Sequence, residues 1–366
     1  MERILRQATD VRARRIGAMA ALLVMLAAAV AAPGPAVAAP YAALVMDARD
    51  GTVLHSRDAD RRLHPASLTK MMTLYLAIEA IKEGRLELDQ AVTVSARAAR
   101  QPPSKIGLRQ GQRVTIRHLL RASAVKSAND AAVVLAEATA GSVEAWSRLA
   151  TRRARDFGMM NTTLLNPHGL TQRGHLSTAR DMALLGRRLF FDHPEYYNLF
   201  SRKRTTAMGR TIHATNRRLL SGYRGADGIK TGYTRAAGFN LVASAQRGDE
   251  HVIVSVFGGR SVAQRTRKVM ELLDLGFARS PTRVATVPPP PIGSIAAAPV
   301  PEMRPAAPQG LLARAASALA PAAHAATRSE SRSRLAPRRI EMPAARPGGA
   351  SIGVAMRADP PPVRPN

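Results

Sequence analysis

The apolar positions divide the chain into three parts. Ile16 to Ala32 is an unbroken apolar run, about 240 residues follow in which strand and helix periods alternate, and from Pro281 onward the apolar content is largely alanine. In the middle part, Tyr41 to His55 reads as two strands joined by the Asp-Gly turn Ala48-Arg49-Asp50-Gly51. Ala66 to Glu83 has Leu68, Met71, Met72, Tyr75 and Ile78 at helical spacing and stops at Gly84. Thr115 caps a helix through Leu119-Leu120, a further helix runs from about Ala128 to Ala140, and Ser177 caps one from Thr178 to Phe190. Asn240–Gln246 and His251–Phe257 are β-rich runs around the turn Arg247-Gly248-Asp249-Glu250, and Ser261 to Phe277 is a final amphipathic helix. Strands thus gather at both ends and helices between them. Strict strand–helix alternation is absent, which argues against a doubly wound parallel sheet. The expected fold is α+β, an antiparallel sheet flanked by helices with a helical subdomain. There is no internal repeat.

The ends have their own character. Residues 1–38 read as a secretory signal peptide: a basic start (Arg3, Arg6, Arg12, Arg14, Arg15), the apolar run, then Pro33, Pro35 and the small-residue site Ala36-Val37-Ala38. The alternative is an uncleaved anchor, for which the run is short. Residues 281–366 hold 17 of the 25 prolines and carry 11 Arg against 4 acidic residues, which predicts a disordered or extended tail. Within it Leu311-Leu312-Ala313-Arg314-Ala315-Ala316 is a candidate membrane-surface helix, against the simpler reading of a solvated linker. The expected domains are 1–38, a catalytic domain 39–280 and the 281–366 tail.

Charge and composition narrow the chemistry. The 366 residues carry a formal charge of +28, which favours anionic partners. Export makes nucleic acid an unsuitable one, and no zinc finger, aromatic RNA-binding motif or basic zipper is present. Contact of the basic tail with anionic lipid or wall polymer remains open. Cysteine is absent, which removes disulfides, Cys-ligated metals and thiol nucleophiles. The nine histidines show no metal-binding spacing, so neither a metal nor another cofactor is expected.

Serine is then the leading nucleophile, and it needs a base. No Gly-x-Ser-x-Gly elbow is present. Ser67-Leu68-Thr69-Lys70 places a serine and a lysine three apart at a helix start, on one face. Only 7 of the 54 basic residues are lysine, and lysine, unlike arginine, can lose its proton to act as a base. Bringing it near neutrality takes roughly 4–5 kcal/mol, which burial and a neighbouring cation can supply. Ser123-Ala124-Val125-Lys126 repeats the spacing, so the pair alone is weak. Ser127-Ala128-Asn129 and Lys230-Thr231-Gly232 follow it in order, and SxxK, SxN and KTG are the motif set of penicillin-binding proteins and β-lactamases.

The sequence resembles the low-molecular-mass penicillin-binding proteins, the D-alanyl-D-alanine carboxypeptidases. The likeness runs through His64-Pro65-Ala66-Ser67-Leu68-Thr69-Lys70, Ser127-Ala128-Asn129-Asp130, Asn166-Pro167-His168-Gly169-Leu170, Asp227 to Thr234 and Ala237 to Ala245, over about residues 40–278. It implies Ser67 as nucleophile, Lys70 as its base and Ser127 as proton relay. Asn129 would orient the substrate amide, Lys230 and Thr231 would hold the terminal carboxylate with Gly232 in the same substrate-binding motif, and the N–H groups of Ser67 and Tyr233 would form the oxyanion hole. The substrate would be the pentapeptide stem of peptidoglycan, with β-lactams as covalent inhibitors, on the outer face of the cytoplasmic membrane or in the periplasm. His168, Lys126 and Asp130 are expected to serve locally, and Met71 and Met72 to be core. The small β-domain and anchor helix that many of these proteins carry have no counterpart in 281–366. The rivals are a D,D-endopeptidase, a β-lactamase and a non-catalytic wall-binding protein. Against the second, Thr162 stands where class A β-lactamases have a glutamate four residues before an asparagine, here Asn166.

Overall fold

The computed structural model describes Met19 and residues 39–292. The expected signal segment, the 311–316 patch and most of the expected tail lie outside the described residues. In chain order the elements are β1 (Ala42–Asp47), β2 (Val53–Arg57), a 3₁₀ turn (Ala66–Thr69), α1 (Lys70–Lys82), β3 (Ala91–Thr93), α2 (Ala96–Ala99), β4 (Arg113–Thr115) and α3 (Ile116–Arg121). A π-turn (Ala122–Lys126) leads to α4 (Asn129–Ala140), α5 (Val143–Asp156), α6 (Ala179–Asp192), α7 (Pro194–Ser201), β5 (Arg204–Ala207), β6 (Arg210–His213) and α8 (Arg217–Gly222). The chain closes with β7 (Ala226–Thr234), β8 (Gly238–Arg247), β9 (Glu250–Gly259) and α9 (Val262–Arg279).

The main sheet has the order β2-β1-β9-β8-β7, antiparallel throughout. Both its faces are covered, which is why its strands read as nearly continuous apolar runs. Ala43, Val45, Leu241, Ala243, Val254 and Val256 pack with Val269 and Leu273 of α9 on one side. Ala42, Leu44, Met46, Val242 and Ile253 point into the larger core shared with the helices on the other. The helical subdomain, α2 to α5, continues that core.

Helix starts follow side-chain chemistry. The hydroxyls of Thr115, Ser142, Thr178 and Ser261 each accept the backbone N–H three residues on. Thr178, not Ser177, caps α6. The helix expected over 66–83 begins as a 3₁₀ turn, and α1 proper starts at Lys70. Met71, Met72, Leu74, Leu76 and Ile78 are all buried, so α1 is a central helix wrapped on every side, with Ser67 at its entrance. β7 escapes the period-2 reading, because Asp227-Gly228-Ile229-Lys230-Thr231-Gly232 is too polar and glycine-rich to signal a strand.

The folded unit does not stop at α9. Asp47 and Ser280 hold the buried Arg49 guanidinium, at 2.8 Å each from Nη2, and Arg49 donates also to the carbonyls of Pro281 and Thr282. The Arg49 carbonyl accepts from Val287 N–H at 2.9 Å. Arg187 and Arg188 of α6 donate to the carbonyls of Val287 and Pro290. The first residues of the proline-rich segment are thus an extended strap bound along the domain, since proline leaves carbonyls free to accept.

Candidate active site

Three stretches meet at the end of α1. Ser67 is half-buried and Lys70 fully buried. Lys70 Nζ lies 3.0 Å from Ser67 Oγ, 2.8 Å from Asn129 Oδ1 and 2.8 Å from the His168 carbonyl oxygen. The two carbonyl oxygens can only accept, whereas the hydroxyl can also donate. Nζ donates to all three oxygens as it stands; on losing a proton it keeps the bonds to Asn129 and His168 and can turn its lone pair to the Ser67 O–H. Its pKa is well below that of an ordinary lysine, through burial first and the Lys230 charge second, with Asp130 opposing.

Asn129 is fixed at both ends. Its Nδ2 donates to Pro102 O at 2.8 Å and its backbone N–H to Ser104 O at 2.7 Å, so Oδ1 must face Lys70. Ser127 precedes it at the exit of the π-turn, with φ +64° in the left-handed region. Asp130 does more than favour the helix dipole, for its carboxylate accepts the N–H groups of Ile106, Gly107 and Leu108. That ties the 102–108 loop to the start of α4. The second SxxK is no pair, because Ser123 is buried and Lys126 exposed.

The opposite wall is β7. Lys230 is buried, with Nζ donating to Thr231 O at 3.1 Å. Its pKa is lowered to about 7, by burial first and by Arg265 second. Thr231 Oγ1 donates to Thr215 Oγ1 at 2.6 Å. Gly232 runs so close to the Ser67 segment that a Cβ there would lie 2.9 Å from Pro65 O and 3.0 Å from Ser67 N. Asn240 of β8 stitches the same segment to the sheet, donating to His64 O at 3.0 Å and to Pro65 O at 3.2 Å. Tyr233 is 56% exposed at the rim and stacks on Phe239 at 4.3 Å.

A loop the motifs only hinted at completes the floor. Gly169, at φ +85°, would place a Cβ 1.8 Å from Ala66 O, so only glycine fits between this loop and the turn carrying Ser67. Asn166 Oδ1 accepts Gly169 N–H at 2.7 Å, and Thr73 donates to Pro167 O at 2.6 Å. His168 enters the site through its carbonyl; its ring accepts Leu170 N–H at Nδ1. His175 Nδ1 accepts Leu165 N–H, leaving Nε2–H to donate to Thr69 Oγ1. Burial holds both rings neutral, with pKa values lowered to about 3. Thr162 is buried and bonded to Asp181 and Ser177. Among the described residues no group of His, Cys, Asp or Glu is placed to hold a metal ion, and no helix is long and apolar enough to cross a membrane.

Fold and site together are those of a serine peptidase. More particularly, residues 27–261 match the family profile described as D-alanyl-D-alanine carboxypeptidase, Peptidase_S11, and the chain belongs to that family. It is 40% identical over 240 residues to the D-alanyl-D-alanine carboxypeptidase DacC of Escherichia coli (strain K12), covering 64% of this chain and 60% of that protein. The DacF enzyme of Bacillus subtilis (strain 168) is 36% identical over 245 residues, 66% of this chain and 62% of its own. The match thus spans about three fifths of these relatives' length. Penicillin-binding protein 5 from Haemophilus influenzae superposes with a TM-score of 0.63 at 36% identity, covering 67% of this chain and 72% of that one. Penicillin-binding protein D2 from Listeria monocytogenes, in its ampicillin-bound form, superposes with a TM-score of 0.60 at 31% identity, covering 64% and 96%.

Proposed function

We propose that the protein removes the terminal D-alanine from peptidoglycan pentapeptides through a Ser67 acyl-enzyme. The observation that carries this is the buried Lys70 amine 3.0 Å from the Ser67 hydroxyl, its pKa lowered by burial and then by the Lys230 charge. Ser67 Oγ attacks the carbonyl carbon of the D-Ala-D-Ala bond while Lys70 Nζ takes its proton. The oxyanion is met by the N–H groups of Ser67 and Tyr233, where one donor is typically worth about 10²–10³ in rate. Ser127 passes a proton to the leaving amine, and Asn129 orients the substrate amide as well as Lys70. Lys230 and Thr231 hold the terminal carboxylate, with Gly232 letting β7 approach. Water then releases the shortened peptide.

β-Lactams would acylate Ser67 in the same way. Slow release of that adduct is supported by Thr162, which is engaged with Asp181 and offers no carboxylate to activate water. A charged lysine at the carboxylate end favours carboxypeptidase over crosslink-cleaving endopeptidase action. Residues 1–38 are proposed to direct export to the periplasm or outer membrane face, and the basic segment beyond the strap to meet anionic lipid or wall polymer.

The test is free D-alanine released from a purified pentapeptide muropeptide, with Ser67→Ala as control. Release by the wild type alone supports the reading, equal release by both removes Ser67 from it, and crosslink cleavage without release favours the endopeptidase.

A further inference from the structure

Beside the catalytic cluster, a cavity of about 380 Å³ opens between the 105–112 loop, the end of the π-turn and the β5–β6 hairpin. Four cations line it, Lys105, Arg109, Lys126 and Arg210, and no acidic residue does. No side-chain hydrogen bond or ion pair engages any of the four among the described residues. Arginine-rich composition does not account for this. Of the seven lysines, Lys70 and Lys230 form the site and two of the remaining five line this cavity.

Both walls are anchored to the catalytic motifs. Lys126 adjoins Ser127, and its carbonyl accepts the Ser104 hydroxyl at 3.0 Å. The 106–108 amides are held by Asp130. Across the cavity, the chain leaving β6 donates from Thr215 N–H to Val125 O at 3.3 Å, and Thr215 also receives the Thr231 hydroxyl. The residue before Ser127 and the loop held by Asp130 thus line this cavity, which places it next to the proposed substrate site. Four like charges around one concavity, with no carboxylate among its lining residues, make it favourable to an anion.

We propose that the cavity is a carboxylate subsite, reading an acidic group on the peptide substrate away from its D-alanyl terminus. This rests on the peptidase reading of the neighbouring site. The subsite acts on affinity rather than on the bond-breaking step, because none of its cations reaches the Lys70 socket. Exposed pairs are individually weak and salt-screened, so the four act together.

The experiment measures binding, in full-length Ser67→Ala protein, of two peptides ending in D-Ala-D-Ala that differ only in one side-chain carboxylate, free or amidated. The free acid is expected to bind about tenfold more tightly at low salt, with the preference fading at high salt. Adding Lys105→Gln and Arg210→Gln together should reduce the preference to about twofold or less; if that pair unfolds the protein, each single change should reduce it in part. Equal binding of both peptides, or a preference the variants leave intact, overturns the subsite. D-alanine release by the wild type is read in parallel and bears on the peptidase reading alone.

Discussion

Arg265 and Lys70 are linked through a third residue. The Arg265 guanidinium lowers the Lys230 pKa, after burial, and the Lys230 charge lowers that of Lys70, again after burial. Arg265 itself is pulled down to about 10 by burial alone. The neighbouring buried cations thus add to burial in lowering the proton affinity of the proposed base.

That line gives a pH dependence with a definite sign. Lys230 must be protonated to hold a carboxylate, and in the free enzyme its pKa is about 7. kcat/KM, which reports the free enzyme, should fall as pH rises through about 7. Arg265→Gln removes a cause that lowers the Lys230 pKa, so this limb should move up by about one pH unit or less. A pH–rate profile of both proteins decides it; an unmoved limb means Lys230 does not govern it.

The lysines should also differ in their tolerance of arginine. Lys70→Arg keeps the charge but cannot give up a proton, so acylation by a fluorescent β-lactam should drop by about 10³ or more. Lys230→Arg keeps a cation for the carboxylate and should cost far less, mostly in KM. Stopped-flow acylation rates distinguish the two, and comparable losses would deny Lys70 the part of base.

Gly232→Ala tests the close approach of β7. The added Cβ would meet Pro65 O at 2.9 Å and Ser67 N at 3.0 Å, both backbone atoms with little freedom to yield. Acylation should fall by about 10²-fold, in line with the value of an oxyanion donor, while Tm drops by only a few degrees. A variant with native acylation would separate the β7 spacing from catalysis.

Acid should weaken the fold through the histidines. His168 and His175 have folded pKa values of about 3 against 6.5 unfolded, so the unfolded chain binds more protons between these values. Their contribution is complete above pH 6.5 and is lost as pH falls toward 3, each histidine adding about 1.4 kcal/mol per pH unit to the slope. Denaturant midpoints at pH 7, 6 and 5 should show a shallower decline for His175→Gln than for the wild type.

Much of the site was legible because its chemistry sits in short contiguous motifs. Ser67 and Lys70 share a helical turn, and lysine is rare enough here to stand out. β1, β2, β8, β9 and α9 were legible from period and caps. β7 was not, because its residues serve the site rather than the core. His168 was expected to serve locally, yet its carbonyl holds Lys70, and a backbone acceptor leaves no trace in residue type. Nor does composition reveal that the prolines after Ser280 lie against Arg49 and Arg187, since those contacts use main-chain oxygens. The left-handed Ser127 is equally silent, being set by the π-turn before it.

The strand order carries a consequence for how the protein comes into being. Among the described strands β1 is made first, yet Ala43 pairs with Val256 of β9, the last of them to be made. Until then β1 has only β2 beside it, and a lone hairpin is marginal in water. Such distant pairings make assembly slow and late. Ser67 is made early as well, but its activating surroundings need Lys230 from the far end. On the proposed mechanism the nascent chain therefore carries an inert Ser67, and reactivity arrives only with the completed fold.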